Sequence, residues 1–173
     1  MKRGFLIGFV LFLTLAVLTP VPALAAKPVP LSANGDISFI SAGTVKPAGD
    51  SGRWVVVERE IKGNFAGPDI SGPFTMEYKA NVELATQAGN LRGTLTTGEN
   101  ILNVNGKIDT LTFVEVAPGT FLPRLSISGH WNFAKGGQGD GEFTAWAIFI
   151  PSPDGHVETF IASAFSLTGK WQP

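Results

Sequence analysis

The sequence predicts an all-β protein, a single antiparallel meander barrel of about eight to nine strands, with a two-sheet β-sandwich as the alternative closure. Three observations predict it. Apolar residues recur at every second position over long runs, turn-forming residues separate those runs, and no window of a dozen residues carries the 3.6-residue period of an amphipathic helix. The composition agrees, because 21 Gly and 12 Pro beside only 16% charged residues suit a turn-rich β protein.

The chain begins with the layout of an export signal. Lys2 and Arg3 precede an apolar run over 5–18, then come Pro20, Pro22 and Ala23-Leu24-Ala25-Ala26. Basic start, apolar centre and small-residue end are the three parts of a secretory signal peptide, with cleavage expected after Ala25 or Ala26. The apolar run is shorter than the roughly 20 residues that cross a bilayer, so no membrane span is expected after cleavage. Removal of 1–26 leaves about 147 of the 173 residues, one domain that is expected to be secreted or otherwise extracytoplasmic.

Charge and cysteine narrow the classes further. Without Lys2 and Arg3 the chain holds 11 basic and 14 acidic residues, a net charge of −3. Such a surface has no basic surplus to grip a phosphate backbone, and nucleic acid is not an expected partner. The absence of cysteine excludes a disulfide framework, a lipid-bearing cysteine, a thiol nucleophile and a thiolate zinc site.

Residues 27–33 open on Lys27-Pro28-Val29-Pro30 and are expected as a Pro-rich extended leader, with the barrel domain running over 34–173. Strands are expected over 35–45, 53–65, 72–85, 91–97, 100–104, 107–116, 122–134, 142–150 and 156–168. Two of them alternate most cleanly. Phe74, Met76, Tyr78, Ala80 and Val82 oppose Thr75, Glu77, Lys79, Asn81 and Glu83; Leu125, Ile127, Trp131 and Phe133 oppose Arg124, Ser126, Ser128, His130 and Asn132. Each therefore has one dry face and one wet face.

Turn chemistry separates the runs. Pro153-Asp154-Gly155 sets φ at proline and offers a positive-φ glycine, and Asn105-Gly106 is the dipeptide favoured in type I′ hairpins. Residues 136–141 form a Gly-rich loop whose aspartate arrives one residue too early for a calcium-binding nonapeptide, a motif that must also recur. The stretch 142–165 is apolar on both faces, since Phe143, Ala145, Ala147 and Phe149 alternate with Trp146, Ile148 and Ile150. Its strands are expected to be central, with the outer face covered by the leader, a loop or a second subunit of a homo-oligomer. A long meander exposes two edges, and closing into a barrel removes both. The interior of an eight-stranded barrel is filled by side chains or holds one small ligand.

Candidate chemistry is sparse. Arg59 shares a face with Val55, Val57 and Ile61, where a buried charge needs a partner, and Glu77 on the next strand is the expected one. His130 becomes a candidate general base only if its face lines a lumen. Arg59, Glu77, Tyr78, His130 and Trp131 together form the candidate ligand set, while Trp54 and Trp171, near strand ends, are the candidate exposed aromatics for stacking on sugars. Glu58 and Glu60 share one face but read as a solvated strand end rather than a hydrolase pair. No Gly-x-Ser-x-Gly occurs and there are only two histidines, which disfavours serine-triad hydrolysis, and no motif calls for a cofactor or a metal.

The functional expectation is a secreted, non-enzymatic β-barrel that binds a small apolar ligand or an envelope or extracellular partner. Two alternatives remain open: an isomerase or cyclase working in the barrel lumen through Arg59, Glu77 and His130, and a carbohydrate or cell-wall binding module working through Trp54 and Trp171. An outer-membrane barrel fits less well, because one tyrosine cannot furnish aromatic girdles.

Overall fold

Alternating apolar and polar side chains become strand over nearly all of residues 27–172, the part of the chain that the computed structural model describes. The expected export signal lies outside the described residues. The strands are β1 (Val29–Ile40), β2 (Thr44–Ala48), β3 (Trp54–Ala66), β4 (Ser71–Glu83), β5 (Gly89–Thr97), β6 (Asn100–Ile108), β7 (Thr112–Ala117), β8 (Thr120–Lys135), β9 (Gln138–Ile150) and β10 (Thr159–Gln172). Every pairing is antiparallel, in the order β1-β10-β9-β8-β6-β5-β4-β3, and β1 pairs back onto β3. The sheet therefore closes as an eight-stranded barrel rather than a sandwich.

The two further strands are continuations. β2 prolongs β1 along β3, and β7 prolongs β6 along β8. Between Ile40↔Ile61 and Thr44↔Glu58 the three residues 41–43 face only Arg59 and Glu60; between Ile108↔Ile127 and Thr112↔Arg124 the three residues 109–111 face only Leu125 and Ser126. One extra residue on one side of a ladder bends that strand and sharpens its twist. Both bends fall at the same end of the barrel, with Ile161, skipped in the pairing of β10 with β9. We call this end the mouth and the opposite end, where β1 starts and β10 finishes, the base.

The base is packed solid. Phe65 lies 4.5 Å from Phe74 and 5.5 Å from Phe165 between ring centroids, Phe74 lies 4.9 Å from Phe165, and Phe143 stacks on Phe165 at 6.1 Å. Trp131 Nε1 donates to the carbonyls of Glu142 and Thr168, both at 3.1 Å, so the buried indole leaves no donor unpaired. These rings fit because glycines face them. A Cβ at Gly63 would sit 2.6 Å from the Phe74 ring, and one at Gly169 would sit 2.8 Å from the Trp131 ring.

Several expectations are corrected. The leader 27–33 is already strand from Val29, pairing Val29↔Trp171 through Ala33↔Leu167. Pro30 is tolerated because β3 pairs with β1 only from Gly35 onward, so a proline there removes no donor from that ladder. Burial of Leu31 and Ala33 fixes the segment in place. Asn105-Gly106 is no hairpin; it lies inside β6, opposite His130 and Gly129. A type I′ turn needs positive φ at both residues, and neither has it. Gly106 serves instead as a close-approach residue, since a Cβ there would meet the Ser128 carbonyl oxygen at 2.1 Å. The loop expected over 136–141 is shorter, because β9 resumes at Gln138. β9 and β10 are flanked on both sides as expected, but the leader joins β10 edge to edge and does not cover the outer face. There the Arg124 guanidinium lies 5.0 Å over the Trp146 ring, while Ile150 and Ile161 stay exposed.

Candidate ligand-binding site

Interior positions near the mouth carry Ile40, Val57, Val82, Ile108, Leu125 and Phe149, which are too small to fill a lumen already widened by the two bends. They enclose a cavity of about 550 Å³. Leu84, Leu111, Phe113, Pro123, Pro151 and Val157 form its rim. The loop 151–158 crosses the gap where β1 and β10 part above Gly35↔Phe165. Ser163 Oγ bridges that gap by accepting from the Ile37 amide (2.9 Å) and donating to the Ile37 carbonyl (3.0 Å). Val157 then pairs with Ile40 through reciprocal backbone bonds of 2.8 and 2.9 Å. The Pro-Asp-Gly turn expected from the sequence shapes this loop, with Gly155 at φ +87 and its amide donating to the Ser152 carbonyl.

Exposed apolar side chains gather around the same opening. Of the nine large hydrophobic residues left exposed among the described residues, Val29 belongs to the base, and Val45, Trp54, Leu84, Phe113, Val116, Phe121, Ile150 and Ile161 lie on the mouth half. Phe113 is 66% and Phe121 58% exposed, on the two strands of the β7–β8 hairpin.

Three polar side chains reach this apolar space: Arg59, Tyr78 and Gln87. Arg59 (β3) sits directly across from Tyr78 (β4) on the inward face. Its stem passes close to Gly43, where a Cβ would lie 2.6 Å from Arg59 Cγ and where φ is +67, so the bend between β1 and β2 makes room for it. Arg59 Nε is buried without a hydrogen-bond partner, and among the described residues no Asp or Glu lines the cavity. Tyr78 is almost fully buried, and burial raises its phenol above the ordinary value while the Arg59 charge opposes the rise. A neutral hydroxyl donor therefore stands beside a permanent cation.

The expected Arg59–Glu77 pair does not form. Register places Arg59 opposite Tyr78 and Glu77 opposite Glu60, so Glu77 is on the wet outer face. The outer carboxylates have their own partners: Glu58 pairs with Lys79 at 3.0 Å and Glu60 with Lys62 at 2.8 Å. Hydrogen bonding to Lys79, that lysine's charge and the Thr44 hydroxyl hold Glu58 below the usual carboxylate range. This is ordinary surface pairing, not a catalytic acid.

The other candidates scatter. His130 is exposed on the outside, opposite Asn105 and Glu142, beside a shallow groove of about 440 Å³ over Gly106 and Gly129. Arg59, Glu77 and His130 thus occupy two faces of the wall and do not converge. Trp131 is core. Trp54 is at the mouth, whereas Trp171 is at the base, half-buried and stacked 6.2 Å from Phe133, so the two tryptophans offer no common platform. Ile108, Leu111, Phe113 and Phe149 were not singled out from the sequence; the usable signal was the interruption of alternation at Ser41-Ala42-Gly43 and Asp109-Thr110. Comparison with protein-family models, with curated proteins and with solved structures finds no match.

Proposed function

We propose that the protein is an exported, non-enzymatic β-barrel that holds one small, largely apolar molecule in its open end. The cavity carries this reading. Its volume of about 550 Å³ lies within the roughly 300–1,000 Å³ typical of small-molecule sites, and an apolar wall with few polar groups is the usual composition of such a site. Side chains fill the base, so the ligand has one place to go.

Further support comes from what surrounds the cavity. Polar residues alternate outward along β4 (Thr75, Glu77, Lys79, Asn81) and β8 (Ser126, Ser128, His130, Asn132), which suits water, whereas a membrane barrel turns an apolar band outward. The scatter of Arg59, Glu77 and His130 favours a binder over a lumen cyclase. The export signal in 1–26 supports action outside the cytoplasm.

Native mass spectrometry of the protein purified from its own host without denaturation tests all of this together. The expected result is a chain shortened at Ala25 or Ala26, carrying an extra mass of a few hundred daltons that organic solvent removes. A ligand-free chain that also fails to take up dodecan-1-ol would overturn the binding reading, and a full-length chain in the cytoplasmic fraction would overturn the export reading.

A further inference from the structure

An apolar cavity explains affinity but leaves one residue without a reason. Arg59 is placed on the inward face of β3 between Val57 and Ile61 and across from Tyr78, its Nε is buried and unpartnered, and among the described residues no Asp or Glu lines the cavity. Carboxylates are close by in sequence, yet Glu58 and Glu60 on its own strand and Glu77 on β4 all turn outward, where Glu58 and Glu60 meet Lys79 and Lys62. A half-buried arginine whose Nε has lost water without gaining a partner is costly, and apolar packing could have been supplied there by Met or Leu. Its burial is made possible by the bend at 41–43 and by Gly43, where any side chain would strike the arginine stem.

Resting on the cavity reading above, we propose that Arg59 and Tyr78 form a head-group anchor and that the ligand is a single-chain amphiphile bearing a carboxylate. A guanidinium presents parallel N–H donors that match the two oxygens of a carboxylate, and the neutral Tyr78 hydroxyl adds a third donor from the facing strand. The apolar walls Val57, Val82, Ile108, Leu125 and Phe149 then cover the hydrocarbon chain. A cationic head group is repelled by the same arrangement, and a neutral one leaves the buried Arg59 Nε without a charged acceptor.

Isothermal titration of the folded chain with three dodecyl probes, each kept below its micellar concentration, separates this proposal from the reading it rests on. Dodecanoate is expected to bind about tenfold or more tightly than dodecan-1-ol, the ratio that one charge-assisted hydrogen bond supplies, and dodecyltrimethylammonium is expected to bind most weakly. Arg59→Met is expected to collapse the acid-to-alcohol ratio to about one, and Tyr78→Phe to reduce it about threefold. Arg59→Gln, with its thermal melt recorded, serves if Arg59→Met does not fold. If the alcohol binds the wild-type chain as tightly as the acid, the head-group anchor is wrong while the cavity reading stands. If none of the three probes binds, both are wrong.

Discussion

The base and the mouth of the barrel are built from the same eight strands and the same alternation, yet one is solid and the other hollow. At the base the inward residues are aromatic and are received by glycines, as Phe74 is by Gly63 and Trp131 by Gly169, so ring replaces void. At the mouth the inward residues are mostly Val, Ile and Leu beside Arg59, Tyr78 and Phe149, extra residues fall at 41–43, 109–111 and Ile161, and the wall spreads. Closure of the barrel accounts for neither outcome. Side-chain volume and the extra residues in the strands decide whether a given layer is filled or hollow.

The contrast can be broken most severely at the base. Trp131→Ala is expected to cost about 3–5 kcal/mol, because it deletes a fully buried ring and strands the Glu142 and Thr168 carbonyls that accept from it; urea unfolding monitored by circular dichroism measures the loss. Gly169→Ala puts a methyl 2.3 Å from the Asp140 carbonyl oxygen and 2.8 Å from the same ring, so backbone as well as ring must shift, and it is expected to cost about 3 kcal/mol through overpacking. A comparable gain of side-chain volume at the mouth should behave oppositely. Val82→Phe puts its ring into the cavity, and the expected outcome is weaker dodecan-1-ol binding with a stability change within about 1 kcal/mol.

A charge change sharpens the same comparison. Arg59→Met exchanges a half-buried arginine with an unpartnered Nε for an apolar chain and is expected to leave the thermal midpoint equal or higher. A lower midpoint would mean that Arg59 holds the wall together rather than serving a ligand.

The smallest expected effect is in the surface ion pairs on the outer wall of the mouth half. Glu58 and Glu83 are both held below the ordinary carboxylate value of 4.5, Glu58 by hydrogen bonding to Lys79 and Glu83 by hydrogen bonding to Arg53 and Thr86. A depressed folded-state value means stability that is present above about pH 4.5 and is lost as pH falls through the folded-state value. Both pairs lie at the surface with their cationic partners largely exposed, so water screens them and the contribution is slight. Thermal melts of wild type and Glu83→Gln should differ a little at neutral pH and converge in acid; a gap that widens in acid would reverse the sign.

Local pattern carried much of the fold. The alternation in β4 and β8 identified both faces of those strands, and Pro153-Asp154-Gly155 identified its turn. Asn105-Gly106 misled because a dipeptide suited to a turn is also suited to the close approach of two strands, and only the neighbour, Gly129, decides between them. Val29–Ala33 was hidden behind prolines whose cost depends on whether a second strand needs their missing donors. Closure of β1 on β3 is a contact between non-adjacent strands and leaves no trace in a pattern of near neighbours.

The site was legible in part, for the same reason. Arg59 and Tyr78 stand on the dry stripes of their strands and face each other, whereas Glu77 and His130 stand on the wet stripes, a parity already present in the sequence. The cavity itself was not legible. It depends on three residues facing two at 41–43 and 109–111, and a count of that kind needs the partner strand.

The most direct test of a solid base beneath a hollow mouth is a methyl-detected NMR titration of the folded protein with dodecan-1-ol, which probes the cavity without engaging the head-group question. Saturable shifts are expected at Ile40, Ile108, Leu111 and Leu125 around the cavity, with Leu31, Leu95 and Leu102 in the core unmoved. Shifts confined to the outer residues Ile150 and Ile161, or no saturable shift at any methyl, would contradict it.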